Sequence, residues 1–178
     1  MQRQTAMAER MVRLHVVANS DSDSDQALKL LVRDAVLTKA AEYLSGVSDA
    51  NAAKQTLTAH LQELADVGAS TVRREGYTYS VTASLEWTHF PTKTYDGFAL
   101  PAGEYQALRI VIGDGAGHNW WCVVFPSLCV SAASEFTDTA VSGGLSEDDI
   151  GLMTEESEAY VLRFKCLEWL DLLKSKLP

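Results

Sequence analysis

Leu100–Val130 reads LPAGEYQALRIVIGDGAGHNWWCVVFPSLCV, and the folding of this stretch decides the architecture. Glu104 to Ile112 and Trp120 to Phe125 are rich in β-branched and aromatic residues and predict two strands. Gly113–Asn119 between them predicts a hairpin connection in which glycines supply positive φ, so the two strands are expected to pair with each other. A phosphate-binding loop would need the glycines to lead into a helix N-terminus, whereas here a strand follows and no Lys-Ser/Thr is present. Cys122 and Cys129 lie across the Pro126 turn. They bridge if the chain reverses there, and are otherwise a pair of small buried hydrophobes. Trp120 and Trp121 are adjacent on a strand and point to opposite faces, so both cannot be core.

Upstream, Met11–Ala18 (MVRLHVVA) predicts a strand, and the Asn19–Asp25 cluster (NSDSDSD) supplies helix-capping residues. Ala27, Leu28, Leu31, Val32, Ala35 and Val36 recur at helical spacing and predict a helix from about Ser24 to Leu44. Asp23 and Gln26 have the form of a capping box, and Gly46 is a stop. Asp49 caps a second predicted helix carrying Ala53, Leu57, Leu61 and Leu64, with Gly68 beyond its end. Tyr77–Leu85 alternates as a half-buried strand, and Trp87–Pro101 is expected to be an ordered loop carrying exposed aromatics. Residues 134–157 are acidic, contain Gly143-Gly144 and read as a flexible connection. A last helix over about 155–174 carries Leu162, Cys166, Trp169, Leu170 and Leu173. The expected fold is a single α+β domain over residues 1–178. It is a two-layer sandwich, a mainly antiparallel sheet with helices packed on one face, in the order β-α-α-β-β-β-α. Residues 1–10 are expected to be disordered or the remnant of a removed export segment.

A chain of 178 residues with 47% hydrophobic and 22% charged residues is globular in composition. Its net charge of −9 argues against nucleic-acid and anionic-membrane partners. Asp21, Asp23 and Asp25 alternate like calcium ligands, but Gln26 and Val32 stand where that loop needs Gly and Glu, so capping explains the acids and no metal is expected. His15, His118 and Cys122, with Asn19 or Asn119, can be assembled into a thiol hydrolase. Against it, Cys122 lies within a strand rather than at a helix N-terminus. Exposed aromatics remain as candidates for a protein partner.

Arg13–Val36 (RLHVVANSDSDSDQALKLLVRDAV) and Phe90–Cys129, ending in NWWCVVFPSLC, together resemble the stage II sporulation protein R family of endospore-forming bacteria. The resemblance implies a signalling protein without catalytic residues or cofactors. Such a protein is exported from the forespore to the space between forespore and mother cell. There it activates a membrane-embedded aspartic peptidase that matures the mother-cell sigma-E factor. His15, Asn19, Asp21, Asp25 and Arg33 are the polar residues of the first matching block. The resemblance also implies an N-terminal export segment that the sequence from Met1 does not contain; either the natural start lies upstream or the chain has been trimmed. The expected docking surface is Phe90, Pro91, Lys93 and Tyr95 with the hairpin tip His118, Asn119, Trp120 and Trp121. Alanine at Trp120 and Phe90 is then expected to abolish activation with the fold intact. The alternative reading is a cysteine- or histidine-dependent hydrolase acting on peptide or cell-wall substrate.

Overall fold

The computed structural model describes residues 2–95, 98–129 and 136–154. In chain order the elements are α1 (Gln2–Glu9), β1 (Val12–Val17), α2 (Asp23–Leu44), α3 (Ala50–Ala59), α4 (Leu61–Arg74), β2 (Val81–Phe90), β3 (Lys93–Tyr95), β4 (Phe98–Leu100), β5 (Gly103–Ile112), β6 (Asn119–Phe125), α5 (Phe136–Ser142) and α6 (Glu147–Thr154). The fold class is α+β, with a four-stranded, mostly antiparallel sheet packed against helices.

The sheet order is β2-β5-β1-β6, so β5 and β6 are not a hairpin. β1 lies between them, parallel to β5 (His15 opposite Arg109) and antiparallel to β6 (His15 opposite Trp121). The Gly113–His118 connection therefore crosses the end of β1 rather than turning tightly. Alternation in a strand specifies which face is buried but not which neighbour it takes.

β1 is buried on both faces, as a central strand requires. Val12, Leu14 and Val16 face α2, α3 and α4 in a core with Leu28, Val32, Val36, Leu57, Leu64, Leu108, Ile110 and Val124. Arg13 and His15 face the other way. On that side Met7, Met11, Phe90, Phe98, Leu100, Tyr105, Val123, Ile150 and Met153 form a second core. The sheet is thus covered on both faces, not one. Met7, Ala8 and Met11 belong to this second core instead of an unstructured start. The described part of the acidic stretch is helical, with Leu145, Ile150 and Met153 buried, where a flexible connection is expected from composition.

Local boundaries differ in four further places. The cap of α2 is Ser22, whose hydroxyl accepts from the Asp25 N–H; Asp23 is already helical. Asp49 caps as expected, accepting from the Asn51 and Ala52 N–H groups, but the helix it starts breaks at His60. Gly68 lies inside α4, where a Cβ would meet Val81 Cγ1 at 2.9 Å, so the glycine lets helix and sheet approach closely. β2 starts at Val81, and Trp87 to Phe90 continue it. Tyr77 and Tyr79 pack against the helical core just ahead of it. The last predicted helix and Cys166 lie outside the described residues.

Candidate partner-binding site

The sequence NSDSD after β1 and the sequence GDGAGHN before β6 form one clasp. The Asp114 and Ala116 N–H groups donate to Asn19 Oδ1 and Asn19 O (3.0 and 3.1 Å), and the Gly117 N–H donates to Ala18 O at 3.0 Å. Asn19 Nδ2 donates to Asp25 Oδ2 at 2.8 Å, and the Ser20 hydroxyl donates to the same oxygen at 2.6 Å. These two bonds hold the Asp25 carboxyl below its ordinary pKa. Asp21 accepts from the His118 backbone N–H (2.6 Å) and pairs with its Nδ1 (2.5 Å), which likewise lowers the Asp21 pKa. Lys29 on α2 donates to His118 O at 3.0 Å, and burial lowers its pKa. The family-motif residues Asn19, Asp21 and Asp25 therefore tie the crossing loop to the start of α2. Their effect is to fix where β6 begins.

Beyond the clasp, β6 runs beside α2. Trp120 is 37% exposed, and the Arg33 guanidinium lies 4.2 Å from the centre of its ring, within cation–π range. Leu30 and Leu31 on α2 are 37% and 43% exposed. Leu30 is one turn before Arg33 and so shares its side of the helix. From Arg33 the same side of α2 continues through Leu37, Ala41 and Leu44. These residues face Val124 and Phe125 across a groove of about 510 Å³, closed at its far end by Val47 and by α5. Asp34 at its rim is ion-paired with Arg33 at 2.6 Å. Apolar walls, a ring presented flat by a guanidinium and a polar rim are the composition of a protein-docking surface.

The expected docking residues do not come together. His118, Asn119 and Trp120 are exposed at the loop end of β6, but Phe90 is 0% exposed in the second core and cannot dock. Its ring packs edge-on against Trp121 (4.6 Å between centroids) and Tyr105 (5.6 Å). Trp121 is half-buried and stacks on His15 at 4.1 Å. Lys93 and Tyr95 are also half-buried, while Pro91 is exposed.

Tyr95 belongs to a buried cluster around Arg13. Arg13 Nη2 donates to Tyr95 Oη at 2.7 Å, and Nε donates to Cys122 O at 2.9 Å. The guanidinium lies 4.2 Å from the Phe90 ring centre and 4.9 Å from that of Tyr105. Burial lowers the Arg13 pKa and pushes the Tyr105 phenol up to about 12. Among the described residues Arg13 has no carboxylate partner, so ring faces and neutral oxygens offset its desolvation. In the sequence this arginine reads as the polar residue of an alternating strand, and nothing there marks it as core.

Cys122 and Cys129 are joined in a disulfide with Cα atoms 5.6 Å apart. The bridge removes the thiol that the hydrolase reading needs. Cys122 also faces the helical core while His15 lies on the opposite face of the sheet. Among the described residues no group of three or more His, Cys, Asp or Glu is placed to hold a metal ion. No described helix is long and apolar enough to cross a membrane.

Neither ring nitrogen of His15 makes a hydrogen bond of ordinary geometry, and burial lowers its pKa, with the nearby Asn119 side chain only partly opposing and Arg109 reinforcing the shift. A histidine whose pKa is lower in the folded state binds fewer protons folded than unfolded. It therefore has no effect well above its unfolded value of about 6.5 and destabilises progressively as the pH falls below it. The urea midpoint is expected to drop between pH 7.5 and 5.5, and His15→Phe, which keeps the stack on Trp121, is expected to flatten that drop. An equal drop in both proteins would place its origin elsewhere.

A family model described as Stage II sporulation protein R matches residues 8–135, which contain β1, α2, the clasp and β6. The stage II sporulation protein R of Bacillus subtilis (strain 168) is 39% identical over 121 residues, 68% of this chain and 54% of that protein. The chain spans about half the length of that curated relative. No solved structure matches the chain.

Proposed function

The chain belongs to the stage II sporulation protein R family, and on that premise we propose that it is the exported signal that activates a membrane-embedded aspartic peptidase, leading to maturation of the mother-cell sigma-E factor. Its role in sporulation follows from the family; export, partner and outcome are the proposal. The observation that carries the docking part is the Trp120–Arg33 surface with the apolar groove beside it, held in place by the clasp. Activation is a population shift: the domain binds the peptidase's active state more tightly than its inactive one, and activity rises by that difference in affinity. A bound disulfide supports the exported location, because such bridges persist in oxidising compartments. A net charge of −9 favours a partner whose extracytoplasmic surface is basic.

Co-expression with the peptidase and its sigma substrate tests the reading. Removal of the pro-sequence is expected only when the chain is present and directed to the peptidase's extracytoplasmic side. Equal processing without the chain would overturn it.

A further inference from the structure

β2 is an edge strand whose outer side pairs with no strand among the described residues. Its register with β5 runs unbroken from Val81 opposite Ile112 to Phe90 opposite Gly103. The Gly113 N–H donates to Ser80 O at 2.8 Å, which sets the phase of this ladder. Even-numbered residues of β2 bond to β5, while Val81, Ala83, Leu85, Trp87 and His89 turn their N–H and C=O groups outward. The strand VTASLEWTHF holds one charged residue, Glu86, and no proline, lysine or bulge, so it lacks the devices that blunt open edges. Trp87 on this edge is 56% exposed.

We propose that this edge pairs with the same edge of a second copy, about a twofold axis at Leu85, to form one continuous eight-stranded sheet. Outward-bonding residues must oppose outward-bonding residues, and the two registers that use the strand most fully centre on Leu85 and on Glu86. The second sets Glu86 against itself and is unfavourable. The first sets Trp87 against the second copy's Ala83, a large side chain on a small one, and Glu86 against its Ser84. Charge complementarity follows, because Arg109 lies beside Ser84 on β5 and already pairs with Glu86 of its own chain at 3.6 Å. Across the small Ser84 it also reaches the second copy's Glu86. The axis is normal to the sheet and keeps α2, α3 and α4 of both copies on one side. It places the two Trp120 surfaces at opposite ends, roughly 30–35 Å apart by strand spacing. That last consequence, a two-headed signal, rests on the proposed function; the pairing itself does not.

Sedimentation velocity on the full chain over a concentration series tests the pairing. A monomer–dimer equilibrium is expected. Ser84→Glu faces Glu86 in both symmetry-related rows and is expected to weaken association about tenfold, whereas Ser84→Lys preserves or tightens it. Ala83→Pro removes an outward N–H without touching the β5 ladder and is also expected to weaken association, with circular dichroism unchanged. A single-chain mass throughout the series, or a dimer indifferent to both Ser84→Glu and Ala83→Pro, would overturn the proposal. The mass readout needs no peptidase, so failure of the pairing and failure of the signalling reading show up in separate assays.

Discussion

Gly117→Ala is expected to cost about 3 kcal/mol of stability, a fall of roughly 10 °C in melting temperature. A Cβ at this position would lie 2.2 Å from Ser20 O and 2.9 Å from the Ala18 Cβ. The close neighbour is backbone of the other half of the clasp, so no side chain can swing away to make room. The Gly117 N–H would then lose Ala18 O, and the loop would no longer close over the end of β1. Gly113 is constrained differently: its φ is +56°, which disfavours any L side chain, and a Cβ would meet the Asn19 side chain with Oδ1 at 2.2 Å, displacing the group that holds the clasp. Gly151→Ala is the control. Gly151 lies inside α6 with nothing within 4 Å of an added Cβ, and alanine there is expected to be neutral or stabilising by up to about 1 kcal/mol. Thermal denaturation of the three proteins decides the matter; equal melting points for Gly117→Ala and the control would mean that the clasp does not hold the fold.

Trp120→Ala is expected to raise the concentration needed for half-maximal peptidase activation about thirtyfold, the scale of a loss of about 2 kcal/mol at an interface hot spot. The melting temperature should stay within about 4 °C, because the ring is partly exposed and contributes little to either core. Arg33→Ala removes the group that holds the ring flat and is expected to have a smaller effect in the same direction. The measurement is a titration of pro-sequence removal against purified protein, with each variant's fold checked first. Phe90→Ala cannot serve as a second docking variant. Phe90 is enclosed by Trp121, Tyr105 and Arg13, and its loss would damage the second core before any interface was tested.

β1, α2 and β6 are legible because their apolar periodicities are long and capping residues cluster at 19–25 ahead of α2, although the pattern points to Asp23 and Gln26 where Ser22 is the cap. The pairing of β5 with β1 is not. A loop of the length and glycine content of Gly113–His118 suits a hairpin as well as a crossing, and only the contacts to Asn19 and Asp21 distinguish the two. The break at His60 was hidden because Leu57, Leu61 and Leu64 keep helical spacing straight through it. Trp87–Phe90 reads as loop because Pro91, Gly97 and Pro101 punctuate the stretch it opens, so Phe90 is expected to be exposed where the structure buries it. Arg13 was invisible as core because its counterweights, Tyr95, Tyr105 and Phe90, come from distant segments. The α2 part of the candidate site did leave a trace. Leu30 falls outside the helical spacing of Ala27, Leu28, Leu31, Val32, Ala35 and Val36, so it is either exposed or covered by something else; Leu31 keeps that spacing yet is 43% exposed, because the buried stripe runs through Leu28, Val32, Val36 and Ala40.

Site-specific photo-crosslinking tests most directly whether the α2–β6 surface is what meets the peptidase. A photo-reactive phenylalanine analogue is placed in turn at Leu30, Trp120 and Pro91, all exposed, and the protein is irradiated beside membranes carrying the peptidase. The docking surface derived from the structure predicts covalent products from positions 30 and 120 and none from 91. Products from position 91 with none from 30 or 120 would contradict it.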